Sequence, residues 1–149
     1  MTKTKKKFKV GIVGCGAIGS RIAKSLRNEL KSCYELTGLF DINETKSEQL
    51  EQNLSLKKVV KKSFKDLIKS SDLIVEAVNA KNTSQMIREA LKAKKHVLMM
   101  SVGQLLNAQE LFQLAEKNQC FLFLPSGSLG SVVKPLITPA VINVAPMTA

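Results

Sequence analysis

Aromatic residues are scarce in this chain of 149 residues, where they make up 5% of the sequence, with one tyrosine and no tryptophan. Proteins that hold single-stranded nucleic acid usually stack its bases on exposed rings, so this scarcity argues against that class. No run of about 18 apolar residues occurs, which argues against a membrane-spanning helix. An export signal is not expected either, because glycines interrupt the short apolar run that follows the basic N-terminus.

Histidine and cysteine are also few, with one histidine and three widely separated cysteines and no CxxC pair. So few histidine and cysteine ligands exclude the usual zinc sites, so we expect no bound metal. An odd number of distant cysteines does not form a disulfide framework. The pattern is typical of a protein in a reducing cytoplasm.

Acidic residues are outnumbered by basic ones, 12 against 23, which gives a net charge of +11. Lysines cluster within residues 1–9 and again within residues 57–69. Such clusters can attract nucleic acid or anionic ligands. A solvated face and a loose basic tail produce the same pattern, and arginine, on which base-edge recognition depends, is rare here. We favour the solvated face and keep nucleic-acid binding as the less favoured alternative.

Apolar segments alternate with helical patterns along most of the chain. Strands are predicted at 8–13, 34–40, 57–61, 73–78, 96–100 and 120–124, and helices at 17–31, 44–53, 83–93 and 107–117. One apolar stripe of the first helix carries Ile18, Ile22, Leu26 and Leu30. Ser63, with Asp66 three residues later, is the predicted cap of a further short helix that carries Phe64, Leu67 and Ile68. The strands are continuously apolar, as burial on both faces of a parallel sheet requires. Right-handed crossovers then predict an α/β fold with a doubly wound, parallel, six-stranded sheet. We expect this single domain to cover residues 8–125, after a basic tail of residues 1–7.

The C-terminal segment departs from this alternation. Small residues dominate 126–131, and three prolines then interrupt an apolar stretch, which forbids a long helix there. We therefore expect an irregular tail over 126–149, the remnant of a crossing to a further domain. Its apolar surface would suit a second copy of the chain or a partner chain.

One glycine-rich turn carries the chemistry of the sequence. Gly14, Gly16 and Gly19 form a GxGxxG pattern directly between the first strand and the first helix. In that setting the first glycine permits a tight turn, the second lets a pyrophosphate approach the backbone, and the third lets the helix lie close to the sheet. The helix N-terminus then offers N–H groups to the phosphates. The pattern predicts a dinucleotide-binding Rossmann fold, and a phosphate-loop NTPase is excluded because no GxxxxGK[ST] occurs.

Asp41 ends the second strand, where a carboxylate can accept both hydroxyls of an adenosine ribose. It would repel a 2′-phosphate, so NAD is the favoured cofactor and NADP the alternative, with Lys46 downstream to soften the preference. A glycine turn without a ligand, beside an ordinary surface aspartate, would give the same pattern.

Five other residues could take part in binding or catalysis, and the glycine pattern does not assign their roles. Glu76 either lines the nicotinamide site or serves as a hydrogen-bonded acid at the end of its strand. Backbone groups of Ser101 and Gly103 follow the next strand and could hold the nicotinamide carboxamide. His96 is expected to be structural, because it lies at the edge of the sheet away from the ligand crevice. Cys15 is expected to fill space, because no general base can be placed beside it.

Taken together, four segments resemble the L-aspartate dehydrogenase family, which is grouped with homoserine-dehydrogenase-like nucleotide-binding domains. They are VGIVGCGAIG at 10–19, VEA at 75–77, MMSVG at 99–103 and LPSGSLG at 124–130. The resemblance covers about residues 8–131 and implies an NAD(P)-dependent oxidative deamination of L-aspartate to iminoaspartate, which feeds NAD synthesis. It implies that the cofactor-binding residues are Gly14, Gly16, Ala17, Ile18, Gly19 and Asp41, with Ala77, Ser101 and Gly103 as weaker matches.

The resemblance also implies a second, α+β domain, which in the family supplies the dimer interface, most of the substrate pocket and a catalytic histidine. No histidine follows His96 here, and the sequence from Val132 onward departs from the family pattern. We therefore expect the nucleotide-binding half alone, with L-aspartate as a substrate only if a second domain is supplied and with the catalytic residues unassigned. A truncated chain, a shifted reading frame and a short paralogue all fit this expectation. The alternative is a non-catalytic NAD-binding module, regulatory or dependent on a partner chain.

Overall fold

The computed structural model describes residues 6–78, 81–101 and 108–125. The strands are β1 Phe8–Val13, β2 Tyr34–Phe40, β3 Leu73–Glu76, β4 His96–Met99 and β5 Leu122–Phe123. The helices are α1 Ala17–Asn28, α2 Glu44–Asn53, α3 Phe64–Lys69, α4 Thr83–Lys92 and α5 Ala108–Lys117. Gly103, most of the predicted basic tail and the predicted tail of residues 126–149 lie outside the described residues. Within the described ranges, no helix has the length and apolar character needed to cross a bilayer.

All strands pair in parallel, in the order β2-β1-β3-β4-β5. β1 therefore lies between β2 on one side and β3 on the other, and the chain winds away from it in both directions. In open sheets of this kind ligands bind outside the carboxyl ends of the strands, where the winding direction reverses. The predicted α/β Rossmann-like architecture with a parallel sheet is confirmed, and its crevice lies at the carboxyl ends of β1 and β3.

The sheet has five strands, so the prediction of six is wrong. The third predicted strand makes only an isolated bridge, in which Val60 pairs with Leu39 of β2. Two local features keep this segment from extending. Lys58 takes a left-handed backbone conformation, with φ of 62°, and the Glu51 carboxylate of α2 accepts the N–H of Val60 at 3.0 Å. The bridge still lies on the outer side of β2, where an outermost strand belongs in this fold.

The core has two layers, one on each face of the sheet. α1 and α2 cover one face and α3, α4 and α5 cover the other. In α1 the predicted apolar stripe is buried at Ile22 and Leu26, but Ile18 is 53% exposed. Ile18 lies in the first turn of α1, at the carboxyl edge of the sheet, so the stripe continues past the point where the sheet can cover it.

Side-chain caps explain where two of the helices begin. The predicted Ser63 cap of α3 is confirmed, because its Oγ accepts the N–H of Asp66 at 3.1 Å. The side chain of Asn43 caps α2 in the same manner by accepting the N–H of Thr45 at 3.2 Å. Such caps satisfy N–H groups that have no partner within the helix. The start of α2, directly after β2, is thereby held at the carboxyl edge.

His96 lies at the amino end of β4, on the edge opposite the crevice. Its ring stacks between those of Phe8 and Phe121, with centroid separations of 5.8 and 5.1 Å. Its Nδ1 accepts the N–H of Phe121 at 3.0 Å, which the neutral imidazole alone can do. Burial lowers the pKa of His96 below its ordinary value of 6.5, and the Asp72 carboxylate opposes part of that change. These contacts support the structural role predicted for this histidine.

The His96 contacts predict a loss of stability in acid. Below pH 6.5, the ordinary pKa of histidine, the unfolded chain binds a proton at this position more readily than the folded chain. Stability from the neutral ring is therefore complete above that pH and is lost as the pH falls. His96→Phe keeps a stacked ring that cannot titrate, so the melting temperature of wild type should fall relative to that of the variant between about pH 8 and pH 5. A constant difference across this range would contradict the assignment.

Candidate functional site

The turn after β1 is built from glycines that the backbone geometry requires. Gly14 has φ of +98°, and a Cβ atom there would lie 2.5 Å from the carbonyl oxygen of Ala77. A Cβ on Gly19 would lie 1.8 Å from the carbonyl oxygen of Gly14. No side chain fits in either place, so α1 packs directly against the end of β1. Gly14 and Gly19 thus have the structural tasks that their spacing predicts.

Gly16 differs from the other two glycines because the space beside it is open. A Cβ atom at this position would have no atom within 4 Å. Gly16 is the N-cap of α1, with no side-chain hydrogen bond to the helix and no acidic residue in its first turn. Ala17 and Ile18 are exposed, and their N–H groups precede the first intrahelical donor, the N–H of Ser20, which bonds to the Gly16 carbonyl at 2.9 Å. A helix start of this kind attracts an anion that comes close to the backbone.

Asp41 connects the end of β2 to the glycine turn. One carboxylate oxygen, Oδ2, accepts the N–H of Cys15 at 2.8 Å, and the other, Oδ1, accepts the N–H of Asn43 at 2.8 Å. The side chain is half-buried, and each oxygen keeps a lone pair for a further donor. An acid so placed can bind a hydroxyl-bearing group beside the turn.

The residue after Asp41 was not singled out by sequence reasoning. Ile42 is 79% exposed and lies one residue beyond the acid. Ile42 and Ile18 are thus two exposed apolar side chains at the carboxyl edge of the sheet, near Asp41 and the start of α1. A single exposed isoleucine carries no sequence signal, because solvent-exposed apolar residues are common.

Cys15 is buried inside the glycine turn. Burial raises the pKa of its thiol to about 12; the negative charge of Asp41 adds to this effect and the positive charge of Lys46 opposes it. The thiolate, which is the nucleophilic form, is therefore suppressed at neutral pH. The structure agrees with the prediction that Cys15 fills space.

Glu76 does not line the crevice, because its side chain is only 1% exposed. It accepts hydrogen bonds from the N–H of Val78 and from the N–H and hydroxyl of Ser101. Burial raises the pKa of its carboxyl group, and these hydrogen bonds oppose the change. Of the two interpretations offered by the sequence, the structure favours the hydrogen-bonded acid.

Two of the three weaker predicted site residues, Ala77 and Ser101, lie at the same edge. Ala77 follows β3, donates its N–H to the Val13 carbonyl at 2.9 Å and contacts Gly14 through its own carbonyl. Ser101 is half-buried after β4 and is joined to this group through Glu76. Gly103 lies outside the described residues. In the part of the chain that is described, no three histidine, cysteine, aspartate or glutamate side chains are grouped to hold a metal ion.

The second lysine cluster forms a different surface. Its lysines are exposed apart from half-buried Lys61, and Lys62 forms an ion pair with Glu44 at 2.9 Å. This exposure agrees with a solvated face.

Two matched substitutions separate the roles of the glycines. Gly19→Ser should lower the free energy of unfolding by about 1–3 kcal/mol, because the side chain has no space against the Gly14 carbonyl. Gly16→Ser should leave it within about 0.5 kcal/mol of wild type, because the position is open and serine is a good N-cap. Chemical denaturation of both variants measures this difference, and equal losses would contradict the geometry.

Comparison with known proteins agrees with this geometry. Residues 14–125 match the family described as homoserine dehydrogenase, NAD binding domain. An L-aspartate dehydrogenase of Methanosarcina barkeri is 32% identical over 84% of this chain and 47% of its own length. One of Methanosarcina mazei is 36% identical over 82% of this chain and 46% of its own length. The chain thus spans about half the length of the relatives it matches.

A solved structure shares the fold at lower sequence identity. Biliverdin reductase of Synechocystis, in complex with biliverdin and NADP+, superposes with a TM-score of 0.70 and 24% identity, over 79% of this chain and 37% of its own.

The glycine turn, the acid at the end of β2 and the family match all point to one class of ligand. The chain belongs to the family of homoserine dehydrogenase NAD-binding domains and is an NAD(P)-binding oxidoreductase domain related to the L-aspartate dehydrogenases.

Proposed function

We propose that this chain is the nucleotide-binding part of an NAD(P)-dependent oxidoreductase that oxidises L-aspartate to iminoaspartate. The observation that carries the proposal is the open start of α1 at Gly16, with the Asp41 carboxylate beside it. The relatives named L-aspartate dehydrogenase support the choice of substrate. When bound, the dinucleotide supplies the hydride acceptor for this reaction.

The proposed contacts divide the dinucleotide into three parts. The pyrophosphate lies on the N–H groups of Ala17 and Ile18, where Gly16 leaves room for it. The adenosine ribose lies against Asp41. The nicotinamide end lies towards Ala77 and Ser101, which follow β3 and β4. Gly103, outside the described residues, stays a contact predicted from the sequence alone. In this division Gly14 and Gly19 shape the turn without side chains of their own.

Asp41 also favours NAD over NADP in this proposal. Its carboxylate would repel a 2′-phosphate, and its hydrogen bonds to Cys15 and Asn43 hold it beside the turn. Lys46 lies in the first turns of α2, close enough to affect the Cys15 thiol. Its positive charge is the feature that would let NADP bind as the weaker cofactor.

A second candidate function, a non-catalytic NAD-binding module, is favoured by the position of the titratable groups. Among the described residues that directly end or follow β1 to β5 at the carboxyl edge, these groups are Cys15, Asp41 and Glu76. Cys15 and Glu76 are buried and Asp41 is bonded to two backbone N–H groups. His96, a further general acid–base candidate, lies at the opposite edge. Oxidation of L-aspartate would then need groups from a second domain or a partner chain.

Four further expectations from the sequence, on domains, partners and location, stay predictions. They are a division into a domain of residues 8–125 with flanking tails, a contact with a second copy or a partner through the apolar C-terminal segment, a cytoplasmic location, and nucleic-acid binding as the less favoured alternative.

The pyrophosphate contact predicts that Gly16→Ser weakens NADH binding while the fold stays intact. A side chain there fills the open space that the ligand needs, so we expect the dissociation constant to rise by at least about tenfold, or ~1.4 kcal/mol. NADH fluorescence titration measures the change. Unaltered affinity in the folded variant would place the pyrophosphate elsewhere.

The ribose contact predicts that Asp41→Ala weakens NADH binding by roughly 10–100-fold, because hydrogen bonds to a charged group contribute about 1.5–3 kcal/mol. NADPH should lose less affinity, because the repulsion of its 2′-phosphate is also removed. Asp66→Ala, at an exposed aspartate of α3 on the other face of the sheet, is the matched control and should change neither affinity. Equal losses for both dinucleotides would contradict the proposed role of Asp41.

Turnover separates the two candidate functions. The chain alone should bind NADH yet produce little NADH from NAD and L-aspartate, since losing general acid–base groups costs about 10²–10⁴-fold in rate. Restoration of turnover by a supplied second domain would favour the aspartate oxidoreductase. Efficient turnover by the chain alone would contradict the need for further groups.

A further inference from the structure

The buried carboxylate of Glu76 lies beneath the carboxyl edge of the sheet, where the segments after β3 and β4 begin. Its Oε1 accepts the N–H of Val78 and the hydroxyl of Ser101, each at 2.7 Å. Its Oε2 accepts the N–H of Ser101 at 3.2 Å. The Ser101 hydroxyl also contacts the carbonyl oxygen of Val78. One side chain thus joins the first residues of two segments to the end of β3.

Stability alone is a weak reason for a carboxyl group in this position. Burying a carboxyl group has a large desolvation cost, and well-packed apolar residues often stabilise a core equally well. The three residues before Glu76 are Leu73, Ile74 and Val75, so the rest of β3 is entirely apolar. The hydrogen bonds of Glu76 fix the positions of Val78 and Ser101 relative to each other, which an apolar side chain would not do.

The segment after β3 also contacts the glycine turn. The carbonyl of Ala77 lies where a Cβ atom of Gly14 would be, at 2.5 Å. The contacts therefore run without a break from the end of β4, through Ser101 and Glu76, to the turn after β1. In a doubly wound fold the two halves of a dinucleotide lie on the two sides of this reversal point. Asp41 is on one side, and the residues held by Glu76 are on the other.

We infer that Glu76 is a positioning residue for the nicotinamide half of the dinucleotide, acting through Val78 and Ser101 without touching the cofactor. This inference rests on the proposed function, because it requires the dinucleotide to lie across the carboxyl edge. The inference predicts that a change at Glu76 affects binding of the nicotinamide end of the dinucleotide and not binding of the adenosine end. ADP carries only the adenosine and the two phosphates, so it reaches the glycine turn and Asp41 but not the side of the edge that Glu76 organises.

Glu76→Gln tests the inference with little change in size. The amide oxygen can still accept from Val78 and from the Ser101 hydroxyl, but the NH₂ group faces the N–H of Ser101, donor against donor. We expect NADH affinity to fall about tenfold, the effect of one mismatched buried hydrogen bond, and ADP affinity to change by less than about twofold. Isothermal titration calorimetry of the full chain with each ligand measures both.

Glu51→Gln is the matched control, because Glu51 makes a similar arrangement away from the crevice. Its Oε2 accepts the N–H groups of Val59 and Val60 at 2.8 and 3.0 Å, on the outer side of β2. Both substitutions remove one carboxylate that bonds to backbone N–H groups. Because both N–H groups bond to Oε2, the amide oxygen of glutamine can still accept both of them. Glu51→Gln should therefore leave the ratio of NADH to ADP affinity unchanged.

A pair of variants at Ser101 covers the case in which Glu76→Gln does not fold. Ser101→Ala removes the hydroxyl that bonds to Glu76 and should reproduce the selective loss of NADH affinity. Ser101→Thr keeps a hydroxyl and should restore most of that affinity. A selective loss in Ser101→Ala that is rescued in Ser101→Thr supports the inference.

Two outcomes would overturn the inference alone. One is an equal loss of NADH and ADP affinity in Glu76→Gln and Ser101→Ala, and the other is a lower melting temperature with both affinities unchanged. Either result would make Glu76 a residue of the fold and nothing more. If the wild-type chain binds neither ligand, the proposed function fails and the inference fails with it.

Discussion

The contact between α1 and the turn after β1 is the constraint on which the rest of the structure depends. The carbonyl of Gly14 occupies the place where a side chain of residue 19 would be. The helix therefore begins against the sheet with no layer of side chains between them, and its first N–H groups lie at the carboxyl edge. In that arrangement the Cys15 N–H lies 2.8 Å from the Asp41 carboxylate. The site is thus a consequence of how two glycines allow a helix to pack.

Local signals explain why most of the fold can be predicted from sequence. Short apolar runs gave the five strands, and the glycine turn identified the start of α1. The prediction of a strand at 57–61 was wrong because Val59 and Val60 resemble a strand, whereas the carboxylate that binds their N–H groups comes from Glu51, in the preceding helix. The exposure of Ile18 was missed because its spacing fits the apolar stripe, and spacing does not show where the sheet ends.

The site was predictable to the extent that its chemistry is local. The spacing indicated the three glycines and Asp41 as candidates because each has one task at one position. The partners of Glu76 were not predictable in this way. Ser101 lies 25 residues further along the chain and meets Glu76 only because β3 and β4 pair in a particular register. A single sequence shows that an acid ends a strand, but it does not show which groups will bond to that acid.

Burial gives the two acids at this edge different roles. Asp41 is half-buried, so its oxygens can add the hydroxyls of a ribose to the backbone N–H groups that they already hold. Those existing bonds tie β2 to the turn before any ligand arrives, which lowers the ordering cost of binding. Glu76 is almost fully buried and has no face towards the ligand. It can affect binding only through the residues it holds, so in our proposals the same functional group serves recognition on one side of β1 and alignment on the other.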